Sequence, residues 1–220
     1  MPRYGRIGAG LAAAALLASS LIGAAPATAA PLASSVLTYA SVGGSAVSVG
    51  DVIQASLASS TSATFYSSTS GSTGVKCAAS SFSAKVLTNP TAPGTATESL
   101  TAQSFTSCTT NVFGTTGVQS VTVNNLPYAT SVTSAGVLTI TGSIQSTVVL
   151  NTLLGTTTCV YKATSLTGTT NNGTNSITFT NQVLTKSSGP VTCFNTAYFS
   201  ARYSPVKDIT KSGSPAVYVN

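Results

Sequence analysis

From residue 30 onward the chain alternates Ser, Thr or Asn with Val, Ile, Leu or Phe in runs of about five to nine residues, and no sustained helical period interrupts it. Successive side chains of a strand point to opposite faces, so a period of two gives a ribbon with one apolar and one solvated face. The alternation places Ile177, Phe179 and Val183 on one such face. It does the same for Phe82, Ala84 and Val86, for Val121 and Val123, for Leu138 and Ile140, and for Phe199, Ala201 and Tyr203. Turn-forming clusters separate the runs: Gly43-Gly44, Asn89-Pro90, Pro93-Gly94, Asn124-Asn125, Asn171-Asn172-Gly173, Ser188-Gly189-Pro190 and Ser212-Gly213. The stretch 56–74, rich in Ser and Thr, reads as a loop or a poorly packed edge strand. About ten to twelve short strands result, each needing a partner for its apolar face. The expected fold is all-β, an antiparallel β-sandwich with two disulfides, with a closed β-barrel as the alternative. Residues 30–220 are expected to form one domain, with a soft boundary near 127–136.

The first 29 residues carry a different pattern. Arg3 and Arg6 precede an apolar run from Ile7 to Ile22, and small residues follow up to Ala27-Thr28-Ala29. This is the layout of a secretory signal peptide, with cleavage expected after Ala29. The apolar run is shorter than the ~20 residues that span a bilayer, so no transmembrane segment is expected in the mature chain. Export puts Cys77, Cys108, Cys159 and Cys193 in an oxidising space, where four cysteines read as two disulfides. Of the three pairings, Cys77 with Cys108 and Cys159 with Cys193 is favoured, because each pair brackets two strand-length segments and a turn.

Charge is scarce: 9 Lys+Arg, 3 Asp+Glu and no His, with 34 Ser and 37 Thr carrying the polarity instead. Without histidine there is no Ser-His or Cys-His catalytic pair and no imidazole ligand. No metal site and no cofactor is expected. The three acids, Asp51, Glu98 and Asp208, are scattered, so a hydrolase built on Glu98 and Asp208 is the least favoured reading, and Asp51 reads as a turn residue. The chain is expected not to be an enzyme. No basic run with interleaved aromatics appears, so nucleic acid is not an expected partner.

The richest surface signal lies near the C-terminus. Alternation along 197–203 sends Tyr198, Ser200 and Arg202 to the face opposite Phe199, Ala201 and Tyr203, and an exposed Tyr with an Arg is the composition of a contact site. Tyr198 and Arg202 are therefore the candidate binding face. An envelope polymer or another secreted protein is the expected kind of partner. Weak self-association is expected as well, because low charge removes one guard against strand-edge pairing.

The segments 77–86, 89–94 and 100–101, with 159–163 and 199–203, resemble uncharacterised secreted β-rich proteins of actinomycetes, and so does the Ala-rich leader. The resemblance implies export and no particular activity. The expected function is that of a secreted, non-enzymatic extracellular or cell-wall-associated module with a structural or interaction role. A small-ligand or glycan-binding carrier is the alternative.

Overall fold

Fourteen strands carry the alternation in the computed structural model, which describes residues 34–220 together with Met1 and Pro2. The signal-peptide expectation falls outside the described residues. The strands are β1 (Leu37–Tyr39), β2 (Ser45–Ala46), β3 (Val52–Ser56), β4 (Ala63–Tyr66), β5 (Gly74–Thr88), β6 (Thr95–Thr110) and β7 (Thr115–Asn124). They continue as β8 (Tyr128–Thr133), β9 (Val137–Thr152), β10 (Gly155–Asn171), β11 (Ser176–Ser188), β12 (Thr196–Tyr203), β13 (Lys207–Asp208) and β14 (Val217–Val219).

The all-β class, the antiparallel pairing and the two disulfides hold, and the architecture is the closed barrel, not the sandwich. β3 and β4 lie end to end along β5; β7 and β8 lie end to end between β6 and β9; β12 and β13 lie end to end against β4 and β3. Counting each broken pair as one stave gives eight staves, every one hydrogen-bonded to its neighbour in the chain. The last, β12 with β13, pairs back onto the first, β3 with β4. Closure of this kind needs long, tilted strands. Here β5, β6, β9 and β10 run for 15 to 17 residues, where the sequence suggested short ones. The long strands are interrupted by bulges that the sequence reading did not place. Asn181 has φ 47°, and the β11–β12 register shifts between Phe179 and Gln182. The bulge reverses the faces beyond it, so Leu184 points inward and Val183 is 54% exposed, contrary to the alternation reading of Val183. The loop-like stretch 56–74 also contains β4, whose Phe65 is core.

The barrel is filled by its own side chains. Phe65, Phe105, Phe179 and Phe199 meet with ring centroids 5.1 to 5.9 Å apart, and Tyr203 stacks edge-on against Phe82 at 5.3 Å. Gly168 makes room for this cluster: a Cβ there would sit 3.0 to 3.2 Å from the Phe179 ring. The outward positions are mostly Ser, Thr, Gln and Lys, as on Lys76, Thr101, Ser104, Thr106 and Lys162. That is the reverse of the apolar outer band by which a barrel spans a membrane.

One end of the barrel, here the upper, is covered by the small sheet β14-β1-β2. Its turns hold that sheet through asparagine side chains. Asn89 donates to Leu37 O and Val47 O and accepts from Leu37 N, each at 2.8 Å. Asn172 donates to Val219 O at 2.7 Å and accepts from Val219 N at 3.0 Å, while Asn175 donates to Val217 O at 2.6 Å. Residues read from sequence as turn-formers therefore also clamp a lid.

Among the described residues, the lower end has no such cover. It is formed by the hairpin connections 67–73, 111–114, 153–154 and 189–195, and both disulfides lie close to it. Cys77 and Cys108 are directly opposed on β5 and β6, with Cα atoms 3.9 Å apart. Cys159 on β10 ties down Cys193 in the β11–β12 connection. Both pairings are those the spacing favoured.

Candidate functional site

The outer surface of β12 carries the face expected from sequence. Tyr198, Ser200 and Arg202 point outward and are half-buried, while Phe199, Ala201 and Tyr203 are core. Pairing adds two members that alternation did not supply. Tyr198 lies directly opposite Tyr66 of β4 on one side and Val183 of β11 on the other, so a Tyr66–Tyr198–Val183 row crosses three staves. Ser200 is bound within the sheet, its Oγ accepting from Asn181 N at 2.9 Å. Arg202 sits opposite Thr178, and its buried Nε finds no partner among the described residues. Two residue pairs separate Tyr198 from Arg202 along the strand, about 13 Å. They share a face without stacking; the cation found over an aromatic ring among the described residues is Lys211, above Tyr39 at 5.9 Å.

The signal for Val183 was present in the sequence. Two polar residues in succession, Asn181-Gln182, followed by two apolar ones, Val183-Leu184, mark an inserted residue and a change of face. Tyr66 was hidden because its four-residue strand sits among Ser, Thr and Gly.

The acids gather differently from the carboxylate pair weighed from sequence. Glu98 faces the barrel interior on β6, opposite Val86 and Thr130, with no charged neighbour, and burial pushes its carboxyl up to about 7. Asp208 instead meets Asp51, so the Glu98–Asp208 arrangement is not formed. Asp51 carries the one ion pair among the described residues, to Lys211 at 3.0 Å, and its Oδ2 accepts from Ser48 N at 2.8 Å. Burial works to raise the Asp51 carboxyl, but Lys211, the Ser48 amide and a hydrogen bond with Asp208 hold it below the ordinary range. Asp208 is pushed up, by burial first and then by the Asp51 charge. The two carboxyls are thus pushed in opposite directions, Asp208 up and Asp51 down. Asp208 is 0% exposed, so no substrate reaches it, and the cluster works as a latch tying the C-terminal segment to the start of β3.

Space for a ligand is limited inside the barrel. The cavity among Phe65, Phe105, Ile144, Leu166 and Phe199 measures about 60 Å³, and one beside Glu98 about 30 Å³. Next to them Tyr203 Oη lies 2.9 Å from Ser80 Oγ and accepts from Gln103 Nε2 at 3.0 Å. Burial raises the Tyr203 hydroxyl to about 12, which keeps this triangle neutral. A larger hollow of about 230 Å³ lies on the outer wall, lined by Leu57, Ala78, Ala79, Ser81, Ser104 and Thr106 among others, with no charged or aromatic group to orient a guest.

No family model, no curated protein and no solved structure matches this chain.

Proposed function

We propose that this is a secreted, non-enzymatic barrel module that works by surface contact, outside the cell or at its wall. The observation that carries this reading is the filled interior. A carrier needs an enclosed site of roughly 300 Å³ or more for a drug-sized ligand, and the interior cavities beside Phe199 and Glu98 measure about 60 and 30 Å³. Two disulfides suit an oxidising compartment, in keeping with export. The absence of histidine and the sealed position of Asp208 leave the abundant hydroxyls without an evident base, which supports a non-catalytic role.

The contact face in this reading is the outer wall around Tyr66, Tyr198 and Arg202. Half-buried Tyr rings and an Arg side chain on one outer face are the groups that gain most from being covered. The test is capture of partners from the envelope and secreted fractions of the producing organism by the exported protein, compared with Tyr198→Ala and Arg202→Ala. Loss of the same partners from both variants is the expected result. Identical capture by all three proteins would reduce this face to ordinary surface.

A further inference from the structure

The four most exposed large apolar side chains among the described residues beyond Met1 all lie at the lower end of the barrel, in turns. They are Leu154 at 100%, Phe113 at 99%, Val191 at 97% and Leu153 at 87%. Elsewhere such exposures run from 40% to 67%. The four occupy three successive lower hairpins around the ring, β6–β7, β9–β10 and β11–β12, and the fourth hairpin, 67–73, is Ser, Thr and Gly.

These positions defy turn chemistry. Thr152 pairs with Gly155, so Leu153-Leu154 is the whole of a two-residue hairpin loop, where Asn, Asp and Gly are the residues that fit. The turns also hold their tips out. Leu154 N donates to Thr152 Oγ1, Thr115 N and Oγ1 both donate to Val112 O beside Phe113, and Cys193 N donates to Pro190 O around Val191. The Cys159–Cys193 bridge fixes the root of that last loop.

The acids divide along the same axis, all lying in the upper half together with Lys85, Arg202, Lys207 and Lys211. Asp51, Glu98 and Asp208 lie on or beside β3, the first turns of β6, and β13. The lower half holds Lys76, Lys162 and Lys186 and no acid, and the Lys186 Nζ reaches Cys193 O at 3.2 Å, beside the Val191 tip.

We infer that the lower end docks on an anionic lipid bilayer, with Phe113, Leu153, Leu154 and Val191 entering the headgroup–acyl boundary and the lysines facing lipid phosphates. Separate apolar fingers on a basic, acid-free end match an interface that offers hydrocarbon beneath negative charge. An anionic wall polymer offers the charge but nothing to receive Leu154. A second copy docked end to end would set lysines against lysines. Ser35 pairs with Thr91 at the upper end, so the described residues begin at the end opposite these tips.

The test is flotation of the purified protein with vesicles of phosphatidylcholine alone and of phosphatidylcholine with phosphatidylglycerol. Binding to the anionic vesicles, weakened by salt and by Lys186→Glu, is expected. Burial of a leucine side chain corresponds to on the order of tenfold in affinity, so Leu153→Ser with Leu154→Ser should lower binding at least tenfold without moving the thermal midpoint. The chain has no Trp, so Phe113→Trp is a clean reporter whose emission should shift blue on anionic vesicles. Absence of binding to anionic vesicles, or equal binding by the double variant, would overturn the inference. So would a lipid-free dimer that the double variant abolishes, which would assign the tips to a second copy. Tyr198→Ala and Arg202→Ala should leave vesicle binding unchanged, so this inference and the contact-face reading fail independently.

Discussion

The two ends of the barrel solve the same problem, how to finish a ring of strands, by opposite means. The upper end is covered by a three-stranded sheet, held by the side chains of Asn89, Asn172 and Asn175 and by the Asp51–Lys211 latch. It gathers all three acids and shows mostly polar turns. Among the described residues the lower end has no covering sheet; two disulfides hold its staves, and its turns project apolar tips. The contrast teaches that covalent links free a surface. An end stapled by cysteines does not need its turn residues to clamp anything, so those residues are available to meet a partner.

The largest test of this contrast is at the stapled end. Replacing Cys77 and Cys108 together by Ser opens a loop with a sequence separation of 31 residues, for which chain entropy gives about 3.7 kcal/mol. The Cys159–Cys193 pair, separated by 34 residues, should cost a similar amount. Amide hydrogen exchange is expected to show the lower hairpins opening first while the region around Asn89 stays protected; uniform loss of protection would break the division into two ends.

The next effect belongs to the upper end and depends on pH. Glu98 ionises near 4.5 when unfolded and near 7 when folded. Below about 4.5 both states hold the proton. Between 4.5 and 7 only the folded state does, so stability falls as pH rises through that window and levels off above it. The loss is roughly 3 kcal/mol over the window. Glu98→Gln should flatten that part of the denaturant-midpoint profile, and a profile as steep as wild type would show that Glu98 is not the source.

The smallest is Asn89→Ala, which removes the side-chain partner of Leu37 N and Val47 O while Leu37 O keeps its bond from Val47 N, and should cost about 1–3 kcal/mol. Limited proteolysis should then cut first in residues 34–46. A cut first in the lower hairpins would mean that the lid does not depend on this clamp.

Much of this was legible in the residues. The inward rows Phe82, Ala84, Val86 and Phe199, Ala201, Tyr203 follow directly from alternation, and the cysteine spacing gave the pairing. Closure was not legible, because a sandwich and a barrel bury one face of every strand in the same way. What separates them is whether the last stave reaches the first, here Tyr198 beside Tyr66 across more than 130 residues, and no local signal marks that contact. Of the candidate face, Tyr198 and Arg202 were readable from one strand, while Tyr66 and Val183 needed the neighbouring strands and the Asn181 bulge. Leu153 and Leu154 were masked for a related reason: the run 148–154 reads as one continuous strand until the two-residue turn is placed within it.

The ring itself carries a consequence for colloidal behaviour. A chain with 5% charged residues has little electrostatic repulsion to keep its copies apart. Cyclic pairing leaves the eight staves, among the described residues, with no open border at which a foreign strand could be added, so protection against edge pairing is written into the connectivity. The borders that persist among the described residues are β2 and β14, two and three residues long, too short a template for growth. Low charge, which on an open sheet would be a hazard, becomes affordable once the sheet has no ends.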